Sequence, residues 1–413
     1  MATNAKNLAE LLNTDSTVAV GDIADGSVTT AKLAADAVTA AKLADDSVVT
    51  ANIVDGNVTA VKTTGVGKGK NIVINGAMQV AQRGDQAGLT NGYTGVDRFK
   101  FISNGGSVAT GKQGGSGVST PANGFSTSLH IDVTTADTSV AAVDYALVRT
   151  TLEGLGVQHL KYGTSSAETL TLSFWVKSPK TGTHWVELFT FDSSKFNSAS
   201  YTVSSANTWE KKTVSFAGET GNAIANDNTS GLLIQWWLLA GSNYSSGTHP
   251  GNSWHTTDAN RVPAQVNVMD NTSNNFYLTG VQMEVGSLAT DFEHRPFHEE
   301  LHSCNRYYID TRSGGSSYGG VAMTRSVYAN YGYGTSMFPA EMRAKPTVVF
   351  YDGTGAAGTI TENGAANGRG CIANSTSKHG LIGIQSTGTG GHFSSAAGAG
   401  YHLFGTYTAE SEL

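Results

Sequence analysis

The chain has 413 residues, of which only 14 % are charged, and its formal net charge is −7 at pH 7. This mildly acidic balance disfavours a nucleic-acid partner bound through bulk electrostatics. The 50 glycines, together with frequent Ser and Thr, are typical of short strands joined by turns and disfavour a helical metabolic enzyme. No apolar run approaches the roughly 18 residues of a membrane span, so we expect no membrane insertion.

The N-terminal sequence also bears on where the chain is made. Its first residues show no basic region followed by an apolar segment, which predicts that there is no secretory signal peptide. Two cysteines, Cys304 and Cys371, do not make a disulfide framework. We therefore expect folding in a reducing cytosol and, for any extracellular role, a route other than secretion.

Residues 18–62 carry a repeat of period five. One medium-sized apolar residue recurs without a miss, at Val18, Ile23, Val28, Leu33, Val38, Leu43, Val48, Ile53 and Val58. Five residues advance a helix by about 140° beyond a full turn and reverse the face of a strand, so neither element gathers these side chains on one side. The pattern cannot build a monomeric core and favours an oligomeric stalk of three chains around an axis. An Ala/Thr-rich linker is the alternative.

Downstream of the repeat, apolar and polar residues alternate over short segments. In residues 169–178, Leu170, Leu172 and Phe174 alternate with polar residues and Trp175, as expected of a strand with one face on a core. Further strands are predicted at 71–76, 98–103, 184–191, 211–216, 232–239, 264–269 and 275–285. The Gly-, Ser-, Asn- and Asp-rich turns between them indicate a mostly β chain built on an antiparallel sandwich.

These patterns predict six consecutive regions. They are an N-terminal segment (1–17), the repeat stalk (18–64), a linker (65–70), a β-sandwich (71–293), a polar connector (294–310) and a smaller C-terminal β-sandwich domain (311–413).

Several segments resemble bacteriophage tail-fibre proteins, and they occur in the same order. NIVINGAMQVAQRG and YTGVDRFKF are similar to the opening of a β-sandwich domain in those proteins, and decapeptides such as SVTTAKLAAD are similar to their stalks. Other matching segments are FYLTGVQMEVGSLATDFEHRP and EELHSCNRYY at the exit of that domain, and FPAEMRAKPTV and GYHLFGTYTAESEL in the C-terminal part.

The resemblance implies a homotrimeric fibre that is attached to phage tail or adaptor proteins through residues 1–64. It also implies a jelly roll like those of carbohydrate-binding modules, and distal β domains that bind host cell-surface polysaccharide without a cofactor. The expected location is the virion tail, with synthesis in the host cytoplasm and action at the host surface. A non-adhesive structural or decoration fibre and a glycan-degrading tailspike are the alternatives.

Residues 298–302 spell HEELH, a match to the zincin motif HExxH. Pro296 can start a helix at 297, which would place His298 and His302 on one face. The extended motif needs Gly and His where Asn305 and Tyr308 stand, and no large helical scaffold is predicted nearby. We therefore predict no metalloprotease, and keep the two histidines only as candidates for a metal at the trimer axis.

Glycan cleavage would require two carboxylates held several Å apart in a cleft. No spacing in the sequence pairs the candidates, which are Asp144, Glu153, Glu168 and Glu187. We therefore expect a protein that is not an enzyme.

Glycan binding would depend on aromatic rings, because sugars stack their C–H faces on Trp and Tyr. Strand alternation predicts that Trp175 points away from the core and that Trp237 shares a face with Gln235. The full set of candidates is Trp175, Trp237, Tyr244, Trp254, Tyr318, Tyr331 and Tyr333. The competing interpretation is that most of these rings belong to cores, trimer contacts or ordinary surface.

Overall fold

The structure is a computed structural model, and it describes residues 70–114, 124–312, 321–323, 325–328, 331–362, 368–387 and 403–413, together with residues 29 and 33. Residues 1–66 and 67–413 form separate units by their contacts. The predicted N-terminal segment and repeat stalk lie outside the described residues, apart from two positions. The described strands and helices all lie in the second unit.

Two six-stranded sheets, whose strands all pair antiparallel, make up the sandwich. The first sheet runs, in spatial order, through β1 (Gln86–Leu89), β4 (Val108–Gly114), β5 (Ser128–Thr135), β12 (Asn275–Val285), β7 (Leu170–Lys177) and β10 (Glu210–Phe216). The second runs through β2 (Asn91–Tyr93), β3 (Lys100–Asn104), β6 (Tyr145–Glu153), β11 (Ser230–Ala240), β8 (Gly182–Thr190) and β9 (Lys195–Val203).

The sandwich core lies between these sheets, as the alternation of the strands predicts. Phe174 and Val176 of β7 are fully buried, whereas Trp175 between them is half-buried on the outer face. Phe174 contacts Trp236 of β11 across the core, with ring centroids 5.8 Å apart. The predicted antiparallel sandwich is therefore confirmed.

The C-terminal strands form one connected antiparallel sheet with a smaller core of its own. They are β13 (Tyr308–Asp310), β14 (Val321–Met323), β15 (Arg325–Tyr328), β16 (Tyr331–Met337), β17 (Thr347–Tyr351), β18 (Thr359–Glu362), β19 (Arg369–Thr376), β20 (Gly380–Ser386) and β21 (Leu403–Glu410). The first of them, β13, lies inside the segment assigned from sequence to the connector, and it pairs with β21.

Helices are few in the part of the chain that the structure describes. They are α1 (Ser242–Ser245), α2 (Phe297–Asn305) and two 3-10 helices at Gly154–Leu160 and Asp258–Asn260. Helix α2 begins directly after Pro296, as predicted. None of these described helices has the length and apolarity needed to cross a membrane.

Two of the predicted strands, at 71–76 and 264–269, are wrong. In both, an asparagine side chain accepts a hydrogen bond from the backbone N–H two residues on. The Val73 N–H donates to Asn71 Oδ1 over 3.0 Å, and the Met269 N–H donates to Asn267 Oδ1 over 2.8 Å. Each segment also contains a residue in the left-handed region, Asn75 at φ 60° or Ala264 at φ 58°. These local turns override the apolar pattern of the sequence.

Candidate functional site

The outer face of the second sheet contains a cleft of about 230 Å³. Residues at alternate positions of β3, β6, β8 and β11 form its floor, because alternate side chains of a strand share one face. Segments that follow β8 and β11 supply the rest of its wall. The cleft is lined by Ile102, Tyr145, Leu147, Arg149, Phe189, Phe191, Leu233, Gln235, Trp237, Tyr244 and Arg261.

Three aromatic side chains form one end of the cleft. Trp237 of β11 lies beside Tyr145 of β6 and Tyr244 of α1, with ring centroids 6.3 Å and 5.5 Å away. The two tyrosine rings are 5.6 Å apart and are half-buried, whereas only 1 % of Trp237 is exposed. Trp237 therefore supports the tyrosines, and it is Tyr145 and Tyr244 that offer ring surface to a ligand.

A buried ion pair fixes the floor below these rings. Arg261 donates from Nη2 and Nε to the two carboxylate oxygens of Glu187, over 2.6 Å and 2.9 Å. Gln235 and Ser198 donate to the same carboxylate over 2.9 Å and 3.0 Å. The Arg261 guanidinium also lies 4.9 Å from the centre of the Trp237 ring. A bidentate pair of this kind is strong and directional, so it holds the rings in place.

Arg149 is the second cation that lines the cleft. Its side chain is half-buried, and its Nε atom is buried with no hydrogen-bond partner among the described residues. Burial lowers the pKa of Arg149 below its ordinary value. The cleft thus combines aromatic rings with polar groups able to orient a ligand, a composition common in small-molecule sites.

Trp175 and Trp254, two of the other residues predicted from sequence, lie away from this cleft. Trp175 is half-buried on the outer face of the first sheet, where a side chain added at Gly280 would touch it. Trp254 packs against the sandwich core and donates from Nε1 to the Ala217 carbonyl over 2.7 Å, which gives it a structural role.

Of the three C-terminal candidates, Tyr331 is the one whose side chain the structure describes. Tyr331 is half-buried in β16. Tyr333 belongs to the same strand, but its side chain lies outside the described residues, as does the whole of Tyr318. Of the predicted set, Trp237 and Tyr244 are therefore the two that the described structure brings together.

His298 and His302 lie on the exposed side of α2, together with Glu299. The neighbouring Glu300 is buried instead, and accepts a hydrogen bond of 2.6 Å from the Asn75 amide. Across the ranges that the structure describes, no group of three His, Cys, Asp or Glu side chains is placed to hold a metal ion.

The carboxylates considered for catalysis are engaged in structural contacts. Arg306 donates from Nε and Nη2 to Glu153 over 2.7 Å and 2.8 Å. Burial alone would raise the pKa of Glu153, but these hydrogen bonds outweigh it and the pKa lies below its usual value. Such a carboxylate stays ionised and is poorly suited to act as a general acid. Glu187 beside the cleft accepts two hydrogen bonds from Arg261.

Sequence reasoning missed Tyr145, Arg149 and Arg261 as parts of the site. Tyr145 and Arg149 share a face with Leu147 on β6. The antiparallel register places Arg149 opposite Gln235 and Leu147 opposite Trp237 of β11, and the Tyr145 ring lies beside Trp237. The alternation along residues 145–149 could have shown which side chains face outward. It could not have shown which strand lies next to them.

Comparison with solved structures finds similar folds at low identity. The enzymatically active domain of tailspike protein 4 from bacteriophage CBA120 is 14 % identical with a TM-score of 0.30, over 52 % of this chain and 22 % of that one. A second similar structure is a family 11 carbohydrate-binding module from Clostridium thermocellum, in complex with a mixed-linked tetrasaccharide. It is 12 % identical with a TM-score of 0.26, and the match covers 50 % of this chain and 97 % of that module.

The C-terminal family 22 carbohydrate-binding module of Clostridium thermocellum Xyn10B is also similar. It is 13 % identical with a TM-score of 0.25, over 46 % of this chain and 88 % of that one. The chain spans about a fifth of the tailspike chain that it matches, 22 %. No protein-family model and no curated protein matches it by sequence.

Proposed function

We propose that the chain binds a glycan in the cleft on the outer face of the second sheet. The observation that carries this proposal is the pair of half-buried rings, Tyr145 and Tyr244, 5.6 Å apart beside polar groups held in fixed positions. The half-buried tyrosines offer part of their ring surface to the C–H faces of sugars, and Arg149, which lines the cleft and is half-buried, can donate hydrogen bonds to their polar groups.

Binding of the full chain to a panel of bacterial surface polysaccharides, neutral and acidic, tests this proposal. We expect Tyr244→Ala to weaken the binding of a retained polysaccharide at least about tenfold, because it removes an aromatic anchor. Trp175→Ala is the matched control, since it truncates a half-buried ring on the other sheet and should leave binding unchanged. Retention of no polysaccharide, or loss of binding in Trp175→Ala alone, would contradict the proposal.

We further propose that the protein is a bacteriophage tail fibre that attaches to its host through this cleft. The period-five repeat and the order of the tail-fibre-like segments support that role. In it, residues 1–64 dock to the tail, three chains form the fibre, and several weak contacts act together. The protein would then be located in the virion tail and act at the host surface.

Binding without cleavage is the third part of the proposal. None of the described cleft-lining residues is Asp or Glu, and the nearby Glu187 accepts hydrogen bonds from three side chains. A retained polysaccharide should therefore keep its chain length after incubation with the protein, as measured by size-exclusion chromatography. Shortening of the polysaccharide would favour the glycan-degrading tailspike instead.

A further inference from the structure

Two cations face each other across neighbouring strands beside the cleft. Lys100 of β3 is directly opposite Arg149 of β6 in the antiparallel register, so their side chains lie on the same outer face. Both are half-buried. Burial lowers the pKa of Lys100 and the neighbouring Arg149 lowers it further, which outweighs the opposite effect of the Glu410 and Glu412 carboxylates.

Neither cation has an anionic partner within ion-pair distance among the described residues. Lys100 lies 5.6 Å from the ring centre of Tyr93, and Arg149 lies opposite the neutral Gln235. Arg261, by contrast, is neutralised by Glu187 in the same cleft. Like charges directly opposite each other in a sheet are destabilising, so this pair has a cost that an anion would remove. The pair is the more notable in a chain whose net charge is −7.

We propose that the cleft binds an acidic glycan, whose anionic group lies between Arg149 and Lys100 while a neighbouring sugar ring contacts Tyr145 and Tyr244. This inference rests on the proposed glycan-binding function. Tyr145 and Arg149 lie four residues apart on one face of β6, about 13 Å along the strand, so one oligosaccharide can reach both. A planar guanidinium can bind a carboxylate, sulfate or phosphate through two parallel hydrogen bonds.

The test compares acidic polysaccharides with neutral counterparts that have the same backbone. The full chain is titrated with polygalacturonate, hyaluronan, polysialic acid and dextran sulfate. Each is matched by its carboxyl-reduced or unsulfated form. We expect at least one acidic member to bind about tenfold or more tightly than its neutral counterpart, with affinity that falls as salt is raised. Preference for the carboxylated members or for dextran sulfate identifies the anion.

Variants that replace one cation by a neutral residue test where the anionic group binds. Arg149→Gln should lose at least about tenfold in affinity for the acidic member, as expected when a charged hydrogen bond is removed. Lys211→Gln, an exposed site on β10 in the other sheet, makes the same change in net charge and should bind like the native protein. The thermal midpoint of Arg149→Gln should not fall, because a like-charge contact is relieved. Should that variant fail to fold, Lys100→Gln tests the same anion site.

Two results would overturn this inference and would leave the proposed function standing. One is equal affinity for the acidic and neutral members of every pair. The other is undiminished acidic binding in folded Arg149→Gln or Lys100→Gln. Binding of no polysaccharide, acidic or neutral, would contradict the proposed function and the inference together.

Discussion

At the scale of single residues, a buried cluster of charges joins the end of the C-terminal sheet to the sandwich. Arg98, of which 2 % is exposed, forms an ion pair with Glu412, of which 3 % is exposed. Arg83 reaches the same carboxylate over 3.2 Å. The Arg98 guanidinium also lies 3.4 Å from the centre of the Tyr307 ring and donates to the Thr151 carbonyl over 2.6 Å. The Glu412 carboxylate therefore pairs with two arginines of the sandwich, of which Arg83 also lies within ion-pair distance of Asp97 and Glu410.

We expect Glu412→Gln to lower the free energy of unfolding by about 3–5 kcal/mol, because it leaves the charge of Arg98 buried without an anionic partner. Glu410→Gln is the matched control: the Glu410 side chain is 50 % exposed and lies 3.7 Å from Arg83, so its loss should cost less than about 1 kcal/mol. Urea unfolding monitored by tryptophan fluorescence measures both. Equal stabilities of the two variants would show that the buried pair does not hold the two parts together.

The candidate site shows what a single sequence can predict at this scale. Trp237 was predicted because strand alternation places it on one face with Gln235, and Tyr244 because it is an aromatic residue in a stretch of small polar residues. Their grouping with Tyr145 and Arg149 depends on the pairing of β6 with β11, strands more than 70 residues apart. That register is a long-range property, and no local pattern encodes it.

At the scale of elements, a bulge in β12 is hydrogen-bonded to the turn at residues 71–76, at the start of the sandwich. The register of β12 with β7 shifts between Thr279 and Gln282, and Gly280 adopts φ 59°, a conformation that favours glycine. The bulge leaves the backbone of Val281 available. Its N–H donates to the Gly76 carbonyl over 2.9 Å, and its carbonyl accepts from Asn71 Nδ2 over 3.0 Å.

Gly76→Ala should lower the free energy of unfolding by about 2–3 kcal/mol, because the backbone must shift to admit the new methyl group. A Cβ at Gly76 would lie 2.1 Å from the Val281 carbonyl oxygen. Gly156→Ala is the control, since a Cβ there would have nothing within 4 Å and should change stability by less than about 0.5 kcal/mol. Urea midpoints compare the two, and a Gly76→Ala variant as stable as Gly156→Ala would contradict this role of the bulge.

The predicted segments coincide with β3, β7, β8, β10, β11 and β12 of the sandwich, whereas β1, β2, β4, β5, β6 and β9 were not predicted. The segment 275–285 is β12 with the same limits. Its aromatic and apolar residues, bounded by Asn and Gly, mark a strand in the local sequence, and nearly all of them are buried. The segments 71–76 and 264–269 have an apolar character like that of strands. Their asparagine side chains accept hydrogen bonds from the backbone two residues further on. The pattern of apolar residues contains no signal of these hydrogen bonds.

At the scale of the whole molecule, we expect three chains to assemble through the repeat. One apolar side chain in every five residues is too few for a core within one chain. Light scattering should give the mass of three chains for the full protein and of one chain for residues 67–413, which form a separate unit by their contacts. A monomeric full-length protein would contradict the stalk prediction and leave the cleft proposal unaffected.

Hydrogen exchange of the full chain tests most directly whether the cleft binds the glycan. Exchange is measured with and without a saturating oligosaccharide, which is cut from the polysaccharide that the protein retains. We expect slower exchange in β6, in β11 and in residues 241–261, which contain or adjoin the rings and cations of the cleft. Protection confined to the outer face of the first sheet around Trp175, or to the C-terminal sheet, would contradict the claim that this cleft is the glycan-binding site.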